Sequence, residues 1–562
     1  MRKFDKNIVS TVLSLSLSIL IASATFAAKI EDFIPDDSMV YLAFRDMDEV
    51  WETAEESENW KAALEVPEIK AWIDEVNQGL NILNLVLGND LQGIIEMLGH
   101  QIVLTMFPGE TEPMVGIIVN TAGAIREVER IVTGVTQMIG ASEGNALEQN
   151  AGKYRKVEFS TVALDELSLA YGFVKDFLVI GITTGSFEGL IDTYKKQRVS
   201  IAKNKQFRRL SKKFADGQVF AYVNVDLALP LITTNMEAEQ QGGFQTLGLD
   251  SLQTFAYSLD LLNVDSGHQM YAEIKPDQHR GILGSLLQEA QPSQSIQALS
   301  GDEDVFIAIA PSSSDAIWQF IAAIAARADD SGGFHNSITL VETMLNLNIK
   351  TDVLGALTGE VAVWGQFPET LGVDSQSLTD LLYATDAAIV AGLKNPSKWR
   401  TFLGNMQNLA NMPIQQYDYK GTTCYQISLP LEVPTVTVHY GYVRELFLVS
   451  FSNERFELVV DGASKGRAVS GFEQNLKGLP GEPVMLLQLK LDKLLPIVIA
   501  SGEREVKPSA DVTERLGEIG PLVASISVKK NEAWLKIGTI SAEPAIETYG
   551  RLVSLIAPAI IR

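Results

Sequence analysis

Gly462-Ala463-Ser464-Lys465-Gly466 matches the G-x-S-x-G spacing with which hydrolases present a nucleophilic serine. That chemistry needs the serine on a sharp strand-to-helix turn, where its hydroxyl stands clear of the sheet. Here the motif follows a helical stretch, residues 456–461, so the direction is wrong and it reads as a helix-ending loop. Asp226 and Asp492 each stand between a strand pattern and a helical one. A catalytic carboxylate there would need an acid–base partner within hydrogen-bond reach. No second acid recurs beside both, and helix N-capping accounts for them. His100, His268, His279, His335 and His439 show no i, i+2 or i, i+4 spacing for a shared metal, and Cys424 has no second cysteine. Cys424 reads as a small buried hydrophobe and His439 as a side chain on an exposed sheet face. Asp302-Glu303-Asp304 and Asp36-Asp37 lack the alternating oxygens and glycine of a calcium loop and read as solvated turns. No catalytic residue, cofactor-binding residue, metal ligand or cofactor is therefore expected.

The elements that would position any site are duplicated. Residues 171–192, YGFVKDFLVIGITTGSFEGLID, return without a gap as residues 440–461, YGYVRELFLVSFSNERFELVVD. Tyr171/Tyr440, Gly172/Gly441, Val174/Val443, Phe187/Phe456, Glu188/Glu457 and Asp192/Asp461 are identical pairs. Such self-similarity marks an internal repeat. Each block reads as a β-hairpin, then a helix capped by Thr183-Thr184 or Ser452-Asn453. Phe187, Leu190 and Ile191 follow at i, i+3 and i+4, as do Phe456, Val459 and Val460, giving each helix one apolar face. Lys175-Asp176 and Arg444-Glu445 occupy the hairpin turns without glycine, which points to a longer or bulged loop. Glycines 172 and 441 sit in strands, where glycine marks a bulge or a close approach.

Taken in order, residues 39–44, 98–103, 114–119, 154–159 and 219–225 read as strands of a first copy. Residues 305–309, 358–363, 387–393, 423–427 and 484–489 answer them in a second. Helices are expected over 46–57, 67–87 and 315–327, and after Asn120 and Asn395 as caps, with Pro396 at the first helical position. The copies close on strand pairs and the helices 281–290 and 546–560. Residues 236–243 read as an inserted loop and 291–297 as the connection between copies. The fold expected is α+β: a tandem duplication, each repeat a mostly antiparallel sheet of about eight or nine strands with helices on one face. The divisions are 1–27 signal peptide, 28–290 repeat 1, 291–298 linker and 299–562 repeat 2.

A chain of 562 residues exceeds what one core usually serves. Its 70 acidic and 45 basic residues leave a formal charge of −25, which disfavours nucleic acid and anionic lipid as partners. Arg2, Lys3 and Lys6 precede the uncharged run 8–21, and small residues follow through Ala28. This is the layout of a secretory signal peptide, with cleavage after Ala27 and Ala24 as the second choice. The run is short of the roughly 20 residues that span a bilayer, and no later stretch reaches that length.

Pro35-Asp36-Asp37-Ser38-Met39-Val40-Tyr41, opening a strand directly after that leader, resembles the start of an uncharacterised family of secreted bacterial proteins, a domain of unknown function. The family's members open with Pro-x-Asp-[Ser/Thr] before an apolar strand and carry a Tyr-rich hairpin like residues 171–180. The second copy departs from the opening, having Gly301-Asp302-Glu303-Asp304 without the proline. The resemblance implies export and brings no catalytic or binding residues. The expected function is that of an exported, non-catalytic envelope or extracellular protein, periplasmic or released, binding an apolar ligand or a protein partner. The alternatives are a secreted hydrolase with a dispersed active site, which requires a cleft holding a serine or carboxylate with a bonded base, and a purely structural surface protein.

Overall fold

The computed structural model describes residues 29–67, 69–71, 74, 93, 100–142, 149–164, 167–234, 236–264, 267–275, 284, 295, 303–310, 318, 322, 333–367, 386–410, 413–429, 436–465, 482–494, 517–539 and 543–560. The expected signal peptide and most of the helices expected over 67–87, 281–290 and 315–327 and of the connection 291–297 lie outside them. The fold is α+β, built on antiparallel sheet, and the chain divides into two compact units: residues 1–48 with 79–215, and 49–78 with 216–562.

In the first unit β1 (Val40–Arg45), β2 (Gln101–Phe107) and β3 (Met114–Asn120) are followed by β4 (Gln149–Tyr154), β5 (Val157–Leu164), β6 (Leu167–Val174) and β7 (Phe177–Gly181). They pair antiparallel in the order β1-β2-β3-β7-β6-β5-β4. Helices α1 (Met47–Glu56) and α2 (Glu58–Leu64) come after β1 in the chain but fall almost wholly in the second unit. Helix α3 (Ile125–Ser142) sets Val128 against Val119 and Leu178. Helix α4 (Thr184–Tyr194) buries Phe187, Leu190 and Ile191, and Leu190 reaches within 2.6 Å of where a side chain on Gly116 would begin. Gly116 and Val119 differ in parity, so they point to opposite faces of β3. The sheet is thus helix-covered on both faces, where one was expected. Helix α5 (Lys205–Lys213) buries Phe207 and Leu210.

The second unit adds β8 (Val219–Asn224), α6 (Val225–Thr234), α7 (Ala238–Leu247), β9 (Leu252–Leu259) and β10 (His268–Ile274). Then come β11 (Val305–Ile309), α8 (Gly333–Leu345), β12 (Leu357–Gln366), β13 (Asp386–Leu393), α9 (Pro396–Ala410), β14 (Ile414–Tyr419) and β15 (Thr422–Leu429). The chain closes with β16 (Val436–Val443), β17 (Leu446–Ser450), α10 (Asn453–Lys465), β18 (Glu482–Lys490), β19 (Pro521–Lys529), β20 (Glu532–Thr539) and α11 (Ala545–Ile560). One part of the sheet runs β11-β12-β13-β17-β16-β15-β14, the same succession of neighbours as in the first unit. The other runs β8-β9-β10-β20-β19-β18 and continues into β11. Again two cores form. Phe456, Val459 and Val460 of α10 pack with Val390, Leu448 and Trp364, while Trp399 and Leu403 of α9 meet Leu393 and Phe447.

Several local expectations are corrected. Residues 236–243 are not a loop. Glu237 and Gln240 form a reciprocal capping box that starts α7, and Gly248 ends it at φ 79°. Strands β4 and β14 have no counterpart in the sequence reading, because edge strands such as QNAGKY and IQQYDY lack apolar alternation. The hairpin turns are two residues long after all. Lys175 and Arg444 take left-handed φ values of 53° and 55°, and the ladders close at Val174↔Phe177 and Val443↔Leu446. Asn395 caps α9 by accepting from the Lys398 amide at 3.2 Å, but Asn120 accepts only from Ala122, and α3 begins later.

Candidate functional site

Helices α6 and α7 and the 3-10 turn Leu249–Ser251 border an open cavity of about 280 Å³ lined by Thr233, Thr234, Gln241, Phe244, Gln245 and Asp250. The wall is locally held. Thr233 and Thr234 donate their hydroxyls back to the Leu229 and Pro230 carbonyls at 3.0 and 2.6 Å, and Pro230 sits inside the helix. The Gln241 amide donates to the Thr233 and Met236 carbonyls, both at 3.1 Å, tying α7 to the end of α6. Below them Lys275 donates to the Asp250 carbonyl at 3.3 Å and pairs with the Asp226 carboxylate at 2.8 Å. Asp226 therefore lies in the first turn of α6 and binds a lysine, where a capping role was expected.

Asp250 Oδ1 is buried and has no hydrogen-bond partner. A buried carboxylate oxygen without a donor is costly, so it favours an incoming N–H or O–H. The two helices also carry exposed apolar side chains outside the lining. Leu227, Leu231 and Ile232 of α6 and Leu247 of α7 are 37–47% exposed, and Phe244 lines the cavity. The wall sets Thr, Gln and Asp side chains beside one phenyl ring, with exposed apolar side chains elsewhere on the two helices, which suits a small amphipathic molecule.

The residues singled out in the sequence are dispersed. Ser464 lies in the last turn of α10, and its carbonyl accepts from Arg444 at 3.0 Å. His100 meets Asp48 at 3.0 Å. His268 is held between two phenols, with Tyr257 Oη 2.7 Å from Nδ1 and Tyr549 Oη 2.7 Å from Nε2. Burial lowers the His268 pKa and pushes that of Tyr549 up to about 12. His439 is not on an exposed face. It is buried beside Phe456, with Nδ1 3.1 Å from Tyr417 Oη, and burial holds its pKa low. His335 is carried on α8, and His279 lies outside the described residues.

Cys424 is buried, its thiol donates to the Thr422 carbonyl at 3.3 Å, and desolvation pushes its pKa to about 11. The acidic turn at Glu303 and Asp304 is not solvated as expected. Glu303 and Asp304 are buried, and Asp304 meets Lys490 at 3.1 Å and the Phe367 amide at 3.0 Å. Asp37 accepts from Arg198 with both oxygens, at 2.9 and 2.7 Å. Glycines 172 and 441 are packing positions. A Cβ at either would come within 3.1 Å of the ring of Phe187 or Phe456. Among the described residues no group of three or more His, Cys, Asp or Glu converges on a metal-sized site, and no helix is long and apolar enough to cross a membrane. Sequence reasoning missed the cavity because its lining is common polar residues; the capping box Glu237-x-x-Gln240 was the signal that a helix stood there.

No curated protein matches the chain. A solved structure described as "Structure of crystal form I of TP0453" aligns over 48% of this chain and 99% of that one, at 12% identity and a TM-score of 0.19, too low to carry an argument. Residues 135–383 match the family model described as "Protein of unknown function (DUF3352)". That span holds the block 171–192 but neither the opening motif at Pro35 nor the block 440–461. Over that span, less than half of its length, the chain is similar to an uncharacterised domain-of-unknown-function family.

Proposed function

We propose that the protein is an exported, non-catalytic binding protein of the envelope or extracellular space, built from two copies of one module. The duplication is supported by the repeated block, by the matching strand succession of the two sheets, and by equivalent contacts. Asp192 accepts from Tyr154 and Arg155, and Asp461 accepts from Lys420, in each case clasping the turn of the outer hairpin to the following helix. The last strands of the copies, β10 and β20, pair antiparallel with each other, as an isologous two-fold relation requires. An experimental structure in which Tyr171 and Tyr440 occupied unlike topologies would remove this reading.

The observation carrying the binding role is the cavity with its unpartnered Asp250 oxygen and nearby exposed apolar side chains. The ligand is then a small amphiphile with a hydrogen-bond donor. Titration with the neutral probe N-phenyl-1-naphthylamine is expected to give saturable fluorescence that a filling substitution, Thr233→Trp, abolishes. Unchanged probe binding in that variant would exclude the cavity. Export is tested by cell fractionation and by N-terminal sequencing, with Ala28 expected as the first residue.

A further inference from the structure

Residues 195–213 contain nine Lys or Arg and no Asp or Glu, within a chain whose formal charge is −25. Helix α5 organises the cluster. Lys205, Arg208, Arg209, Lys212 and Lys213 are exposed, and at 100° per residue they fall within an arc of about 140°. Phe207 and Leu210 occupy the opposite side and are buried, so the basic face is fixed outward by the core. Lys203, on the preceding 3-10 turn, extends it. Lys203, Lys205, Arg208 and Lys212 have no acidic partner within 4.0 Å among the described residues.

We infer that this face docks on an anionic phospholipid surface. Charge complementarity picks an anion, and the composition picks the kind. From 195 to 213 Val199 is the only large apolar side chain that is exposed, whereas a stable protein interface needs a buried apolar centre. A lipid headgroup layer needs only a dense row of cations close to its plane. The remaining acidic charge does not forbid this, because at about 0.1 M salt fields decay over roughly 10 Å, so contact is governed by the nearest charges. The net charge therefore conceals a local surface of opposite sign.

The test is co-sedimentation of the full chain with phosphatidylglycerol–phosphatidylethanolamine vesicles and with phosphatidylcholine vesicles. Arg2, Lys3 and Lys6 beside the apolar run at residues 8–21 also favour anionic lipid, and the α5 variants leave them unchanged, so the binding they give is the common background of all variants. Above it, binding is expected only on the anionic vesicles and is lost between about 50 and about 500 mM salt. The triple variant Lys205→Glu, Arg208→Glu, Lys212→Glu is expected to bind more than about 1,000-fold more weakly with an unchanged urea midpoint. The neutral triple Lys205→Gln, Arg208→Gln, Lys212→Gln should fall between. Equal binding to both vesicle types, or no effect of the triple variants while they remain folded, overturns the proposal. So does salt-sensitive self-association in sedimentation velocity, or tighter binding to DNA than to vesicles, if the same substitutions abolish it.

Discussion

The ring of Phe187 lies over Gly172 so closely that a methyl group on the glycine would sit 3.1 Å from its edge and 2.6 Å from the Glu158 carbonyl. Phe456 covers Gly441 at the same 3.1 Å, but there the nearest backbone oxygen, Thr423, is 3.4 Å away. The aromatic supplies the packing that a strand glycine cannot. Gly172→Ala is expected to cost about 2–3 kcal/mol through overpacking against backbone. Gly441→Ala should cost clearly less, since only a ring must shift. Urea unfolding of the two single variants checks the difference; equal costs would contradict it.

Lys175 and Arg444 hold left-handed backbone in the hairpin turns. For a residue with a Cβ this costs about 1 kcal/mol, which glycine avoids. Lys175→Gly should therefore raise stability by roughly 0.5–1 kcal/mol, while Lys175→Ala should give no gain. Thermal unfolding distinguishes the two.

Asp304 joins Lys490 and the Phe367 amide in a buried contact. Asp304→Ala removes the acceptor of the Phe367 amide and one ion-pair partner of Lys490, with an expected loss of about 1–2 kcal/mol. Asp304→Asn keeps one acceptor and should lose less. A neutral result for the alanine variant in denaturant titration would refute this role.

His268 and His439 both have pKa values depressed by burial. The unfolded chain then binds more protons between the folded pKa and the ordinary value near 6.5, so stability rises with pH across that window. Their contribution is fully present above about pH 6.5 and is lost as pH falls through the depressed values. Unfolding free energy measured from pH 7.5 down to 5 should slope less in the His268→Gln, His439→Gln double variant.

The Cys424 thiol, with its pKa pushed to about 11, is neutral and covered at pH 8. A thiol reagent such as 5,5′-dithiobis(2-nitrobenzoate) should react with it only after denaturation, giving one equivalent per chain. Rapid reaction of the native protein would show the site to be open.

The repeated block was legible because it combines signals that agree locally: alternating apolar strands, Thr183 or Ser452 at the cap, and Phe187 or Phe456 at the start of an apolar helical face. What escaped depends on distant partners. His439 looked exposed because strand periodicity alone does not tell which face α10 covers. Asp304 looked solvated because Lys490 is far along the chain. The covering of both sheet faces was hidden for the same reason, since α3 and α4 are each amphipathic and nothing local says they choose opposite sides. The basic face of α5 was in the sequence throughout, masked by an averaged charge.

Ser57, which caps α2, and Asn59 on it donate to Glu547, and the Trp60 indole donates to the Ile546 carbonyl at 2.7 Å, with Trp60 lying against Gly550. These contacts span as many as 490 positions. During synthesis the segment around Trp60 emerges early and waits for nearly the whole message to be read before its docking helix arrives. A chain that must delay closure in this way stays open until its last helix has been made, and any early stop codon ahead of α11 leaves it unsealed.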